Sequence, residues 1–369
     1  MNMADRFPPL DTELLAERLA LPPSQTRLLI DTDTANEIDD QFALAWALLS
    51  PEHMTVEAVT TEPFSFAHNR QELILAEQAM ESGDKRTEHL VGGFQGWLDR
   101  LHSSGKRADD VKFVSPAEGM ELSYQEILTV YEKLHIASAG KVFRGAPQYM
   151  STPDTPVNSD SVDTIIDLAK SGSQPLYIAA LGCVTNIASA LLRAPEIREN
   201  IVVIWTSAYP SSAPQCNRPS LNLIQDVHAS RLMFDSGVPL VYLPGYHVGA
   251  QLKISLPEVE KFIKGAGDIG DYLHHLYTHN PLHTMFALQD TSRRTWVIWD
   301  IINIAWLINP EWVPTRLTPS PILDKELYWK ADKSRHLIRE AHDVQRDEIF
   351  IDFYNKLAKH STHQAGQAV

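Results

Sequence analysis

The chain predicts an α/β protein: a single large domain on an open, mostly parallel sheet flanked by helices. Three observations point there. Short apolar runs recur, each ending in a polar turn and several leading into a helix-compatible segment, as in "RLLIDTD" before "DDQFALAWALLS" and "PLYIAALG" before "TNIASALLRAP". Strands that alternate with helices favour parallel pairing, because a parallel connection needs a crossover. The chain has 369 residues, of which 44% are hydrophobic, enough to bury one large core and too many for a mainly disordered polypeptide. No internal repeat or low-complexity block divides it.

In chain order, residues 1–26 read as an N-terminal extension and 27–355 as the main domain. "TVEAVTT" is the second strand, and "IVVIWTS" and "VPLVYLP" are later ones. "RQELILAEQAMESG" has helical spacing, but the stretch from about 65 to 115 mixes glycine, charge and aromatics and reads as an insertion or flap. "SPAEGMELSYQEILTVYEKLH" is a helix with a capping serine, and "SVDTIIDLAKSG" is another. Residues 356–369 form a C-terminal tail, with its last segment, "STHQAGQAV", expected to fray.

The formal net charge of −15 argues against a nucleic-acid backbone or an anionic membrane surface as partner. The longest apolar run, "WVIWDIINIAWLI", is short for a bilayer and carries an aspartate. Cys183 and Cys216 form no disulfide framework and no zinc-type spacing. The N-terminus lacks a basic start followed by an apolar run, so a cytoplasmic location is expected.

The chemistry concentrates in "LLIDTDTANEIDDQFALAWALL". Asp31, Asp33, Asp39 and Asp40, with Glu37 between them, sit where a buried strand hands over to a buried helix. A helix N-terminus stabilises one carboxylate but hardly four, and burying unpaired charge is costly. A hard divalent cation, which prefers oxygen ligands, resolves the crowding. A calcium-binding helix–loop–helix would need glycine at its sixth position and an acid at its twelfth. Counted from Asp31 these are Asn36 and Phe42, so that motif fails. An Asp-x-Asp phosphohydrolase is a weaker rival, since no phosphate-binding glycine loop accompanies it.

Three further segments carry polar groups among apolar ones. Asp300, inside "TWVIWDIINIAWLINPEW", needs either an arginine such as Arg294 or a metal. In "AALGCVTNIASAL", Thr185 or Asn186 can cap the following helix, and a backbone carbonyl is left to coordinate an ion. In "SLNLIQDVHASRLMFDSG", Asn222 and Asp226 either bind a polar substrate or shape a loop and cap a helix. His274, His275 and His279 read as a solvated face, lacking a clean metal-ligand spacing.

Taken in order, these four segments resemble the inosine–uridine-preferring nucleoside hydrolases, calcium-dependent N-ribohydrolases with a Rossmann-like core. The likeness runs through "LLIDTDTANEIDDQFAL", "LYIAALGCVTNIASAL", "SLNLIQDVHASRLMFDSGVPLV" and "WDIINIAWLINPEW" and spans about 27–355. The resemblance implies that Asp33, Asp40, Asp300 and the carbonyl of Leu181 hold Ca2+. It implies that Asp33 takes a proton from the metal-activated water, that Asp39 and Asn222 bind ribose hydroxyls, and that Asp31 supports them. The implied partner is a small-molecule nucleoside or N-riboside, and the implied assembly a homodimer or homotetramer. Three departures are visible. The turn before Asp39 is two residues longer than usual, Ser220 replaces a glutamate, and Trp299 replaces the histidine that protonates the leaving base. Tryptophan donates no such proton but can stack on a base. No ribose-binding asparagine follows "TVEAVTT" clearly, Asn69 being the nearest candidate. A binding protein that retained the metal without turnover is the alternative.

Overall fold

A computed structural model describes residues 3–83, 87–288 and 295–367. Arg294, the arginine weighed as a partner for Asp300, lies outside the described residues. The main sheet has eight strands: β1 (Thr26–Thr32), β2 (Met54–Thr61), β3 (Val142–Phe143), β4 (Leu176–Ala180), β5 (Ile201–Ser207), β6 (Leu240–Pro244), β7 (Thr315–Pro319) and β8 (Leu337–Ala341). Their spatial order is β3-β2-β1-β4-β5-β6-β8-β7. All neighbours pair in parallel except β8 and β7, which are antiparallel. The strand order therefore reverses between β1 and β4, and a crevice opens beyond their carboxyl ends.

Strand alternation distributes the core over both faces of this sheet. Leu28 and Ile30 of β1 join one apolar cluster and Leu29 the other. The first cluster is packed by α1 (Asp39–Leu48), buried from Asp39 to Ala47. Its Phe42 and Trp46 meet Phe353 with ring centroids 5.7 and 6.1 Å apart. On the opposite face lie α2 (Thr185–Arg193) and, after the short α3 (Leu221–Ile224), α4 (Val227–Asp235). Helix α5 (Ile301–Ile308) is buried along its whole length beside α1. Among the described residues, no helix is long and apolar enough to cross a membrane.

Helices Arg70–Ser82 and Gln95–Ser103 build a small separate core from Leu73, Trp97, Leu98 and Leu101. The capping serine is present: Ser115 and Glu118 form a reciprocal cap on Pro116–Lys133. The N-terminal segment contributes a helix, Thr12–Arg18, and is tied down where Arg339 Nε donates to the Leu19 carbonyl at 2.7 Å. The last helix runs Arg346–Gln367, across position 355.

Candidate active site

The turn that leaves β1 is braced from within. The Asn36 N–H donates to the Asp33 carbonyl at 2.8 Å, and Asn36 Nδ2 donates to Asp33 Oδ2 at 3.2 Å. Gln41 Nε2 donates to the Thr34 carbonyl at 2.6 Å, and the Thr32 hydroxyl donates to Asp40. These bonds stop the carboxylates from swinging away from one another. Asp39 and Asp40 occupy the first turn of α1, whose cap position is Ile38 with no side-chain cap. Asp300 stands immediately before α5 and also makes no capping bond. It is therefore at a helix N-terminus, not within an apolar helix as its sequence context suggests. Two helix N-termini, favourable to negative charge, thus meet from opposite ends of the chain.

Asp39, Asp40 and Asp300 offer oxygens within 4.8 Å of one another, and all three side chains are buried. Asp39 and Asp300 share a hydrogen bond, while Asp300 Oδ1 is buried with no partner. Burial raises Asp39 to about 8, helped by Glu37, and raises Asp40 to about 8, helped by Asp39. Burial also lifts Asp33 well above the carboxylate range, with Asp40 and Asp39 adding to it. Asp300 is lifted the same way, by burial and then by Asp39 and Asp40. Asp39, Asp40 and Asp300, one with an orphaned oxygen, are a donor set suited to a hard divalent cation, and Asp33 stands outside this trio but near enough to be raised by Asp40 and Asp39.

Asp33, Asp39, Asp40, Leu181, Asn222, Trp299 and Asp300 line one cavity, whereas Asp31 and Asp226, also singled out in the sequence, do not. Leu181 follows β4, and its carbonyl accepts from Asn222 Nδ2 at 2.7 Å. The same amide reaches the Thr206 carbonyl at 3.0 Å, so Asn222 bridges the ends of β4 and β5. Gly182 is required by close approach: a Cβ there would sit 2.8 Å from Asp33 Cγ. Trp299 meets Tyr246 edge to face at 5.7 Å, forming an aromatic wall.

Below this layer, Asp31 Oδ1 accepts from the Thr60 hydroxyl at 2.6 Å and from Asn186 Nδ2 at 3.0 Å. Thr185 donates to Asp226 Oδ2 at 2.8 Å. Neither Thr185 nor Asn186 caps α2, whose cap position is Val184; their side chains serve partners distant in sequence instead. Asp226 does cap α4, accepting from the Ala229 N–H at 3.0 Å.

Sequence reasoning named Glu37 among the aspartates without giving it a role and passed over several other groups. Glu37 and Asn36, from the lengthened turn, both line the cavity. Glu37 is raised to about 7 by burial and by Asp40. The two extra turn residues were the signal for both. Tyr246 had none beyond its place just after β6. Asn69 is outside the cavity and pairs with His68 at 3.0 Å. Glu62, directly after β2, is buried and accepts from the Asn186 N–H at 2.9 Å.

Residues 28–368 match the sequence model of the inosine-uridine preferring nucleoside hydrolases. The pyrimidine-specific ribonucleoside hydrolase RihA of Salmonella paratyphi A is 24% identical, across 79% of this chain and 81% of that protein. The non-specific ribonucleoside hydrolase RihC of Salmonella newport is 28% identical, across 42% and 48%. Among solved structures, the purine-preferring ribonucleoside hydrolase from Gardnerella vaginalis superposes with a TM-score of 0.61 at 17% identity, covering 91% of this chain and 99% of that one. The plant nucleoside hydrolase PpNRh1 gives 0.57 at 15% identity, with the same coverage. These two structures share the fold.

Proposed function

The chain belongs to the inosine–uridine preferring nucleoside hydrolase family, enzymes that hydrolyse N-glycosyl bonds, and on that premise we propose that it splits a ribonucleoside or related N-riboside into free base and ribose with calcium as its cofactor. The observation that carries this reading is the meeting of Asp33, Asp39, Asp40 and Asp300 in one buried cavity at the switch point of the sheet. Asp33, Asp40, Asp300 and the Leu181 carbonyl would hold the cation, with Asp39 at its edge. When bound, such a cation offsets the mutual repulsion of the carboxylates and makes water easier to deprotonate.

The protein's own groups then have distinct tasks. Asp33, fixed by Asn36 and pressed against Gly182, accepts the proton of the attacking water. The water oxygen bonds to the anomeric carbon as the carbon–nitrogen bond breaks; that bond's electron pair stays with the base, which takes up a proton. Asp39 and Asn222 hold ribose hydroxyls, which keeps the sugar within reach of the attack. The nearby carboxylates stabilise positive charge that builds on the sugar. Trp299 and Tyr246 flank the space left for the base.

The relatives include a pyrimidine-specific and a purine-preferring hydrolase, so the test is a panel of both kinds of nucleoside. Released ribose is measured with calcium and after chelation. The reading requires release that chelation abolishes and calcium restores. Tight ribose binding with no product from any nucleoside, at high protein concentration, would favour the binding-only alternative.

A further inference from the structure

At the other end of the sheet lies a cavity of about 430 Å³, within the range of small-molecule sites. It is bordered by the segments that precede β5, β6 and β8 and is covered by the N-terminal segment, including Leu10, Leu15 and Ala16. Its walls are largely apolar, and the exposed side chains of Leu317 and Leu337 stand at its edge.

Its charged lining is two arginines, Arg198 and Arg335, and one carboxylate, Asp235. Arg198 is 5% exposed and is the one lysine or arginine fully buried among the described residues. Its Nη1 donates to the Ser236 carbonyl at 2.8 Å, and its Nη2 donates to the Pro8 carbonyl. A guanidinium carries five donors, so Nε–H and one hydrogen on each terminal nitrogen are left over. No carboxylate lies within ion-pairing distance among the described residues; neighbouring Glu199 acts on it only through space. Arg335, beside it in the cavity wall, is already paired with Asp235 at 2.7 Å. His336 also lines the cavity, and its Nε2 is buried without a partner. Tying the N-terminal segment in place accounts for one of the Arg198 donors and holding the Ser236 carbonyl for another, and neither accounts for the His336 atom. A buried charge without a counter-ion is costly, and a cavity beside it admits one from outside.

We propose that this cavity binds a small amphipathic carboxylate, its head on Arg198 and His336 and its short apolar tail along the leucines of the N-terminal segment. The inference stands independently of the reaction at the other end of the sheet.

Isothermal titration calorimetry on the full chain, with octanoate below its micellar range, octanol and inorganic phosphate as separate probes, tests it. Saturable one-site binding of octanoate, at least tenfold tighter than either octanol or phosphate, is expected. Arg198→Gln should weaken octanoate binding at least tenfold. Because a buried arginine can matter for folding, Ala16→Trp provides a second variant that fills the cavity from its exposed lip. It should also cost tenfold or more while leaving the circular dichroism spectrum unchanged. Absence of saturable octanoate binding would overturn the proposal. So would octanol or phosphate matching octanoate, or unchanged affinity in folded Arg198→Gln or in Ala16→Trp.

Discussion

Single side chains in the acidic cavity have opposite effects on stability and on activity. Asp33 is held by Asn36 and faces the shared space; as the proposed base, its amide analogue keeps the hydrogen-bonding shape but cannot accept a proton. Asp33→Asn is therefore expected to melt like the parent protein and to lose about 10²–10⁴-fold in turnover, the usual worth of a general base. Asp300 brings a fourth carboxyl to a crowded spot, with one oxygen unsatisfied. Removing its charge relieves repulsion while the cation is absent and removes a ligand when it is present. Asp300→Asn should melt at an equal or higher temperature in chelator, yet lose most of the stabilisation that added calcium confers on the parent. Paired thermal melts with and without calcium measure both effects.

Elements matter through the points where they touch. The turn after β4 passes so close to Asp33 that a methyl group at position 182 would displace the carboxylate. Gly182→Ala is expected to cost about 10²-fold in kcat, the scale for a displacement of about 1 Å in a reacting group, with little change in circular dichroism. The lengthened turn from Asp33 to Asp39 is a second such point, because its extra residues put Asn36 and Glu37 on the cavity wall. Short helix α3 is a third. Ser220 precedes it and accepts from the Ala208 N–H at 2.9 Å, so the position the resemblance assigns to a glutamate serves here to anchor the end of β5.

For the molecule as a whole, the N-terminal segment behaves as part of the fold. It buries Phe7 and Leu19, each worth about 1.5–3 kcal/mol, and Arg18 Nε donates to the Glu199 carbonyl at 2.8 Å. Deleting residues 1–25 is expected to lower the melting temperature by several degrees and to leave kcat unchanged, since the acidic cavity is at the opposite end of the sheet. The same region carries a pH signature. Burial, then Arg335 and Arg198, depresses His336 from 6.5 to about 4. Between those values the unfolded chain binds the extra proton and the folded protein does not, so this residue makes stability rise with pH up to about 6.5 and adds nothing above it. Melts across pH 4.5–7.5 should show that slope reduced in His336→Gln.

Much of the architecture and the acidic site was legible from residue order alone. Apolar runs of strand length and the alternation with helices are local patterns, and so is the strain of four aspartates between two buried segments. These determined the α/β class, the position of Asp33, Asp39 and Asp40 at a strand end, and the need for something positive there. Only the tertiary structure decided what each polar group faces. Thr185 and Asn186 have the right types and positions to cap α2, yet Asp226 and Asp31 claim their side chains across more than 40 and 150 positions of chain, respectively. Glu62, Tyr246 and the buried Arg198 carry no local mark at all. The roles of Glu62 and Tyr246 arise because the strand order reverses between β1 and β4, and that of Arg198 because the starts of β5, β6 and β8 meet at the opposite end of the sheet; no periodicity within one segment encodes either meeting.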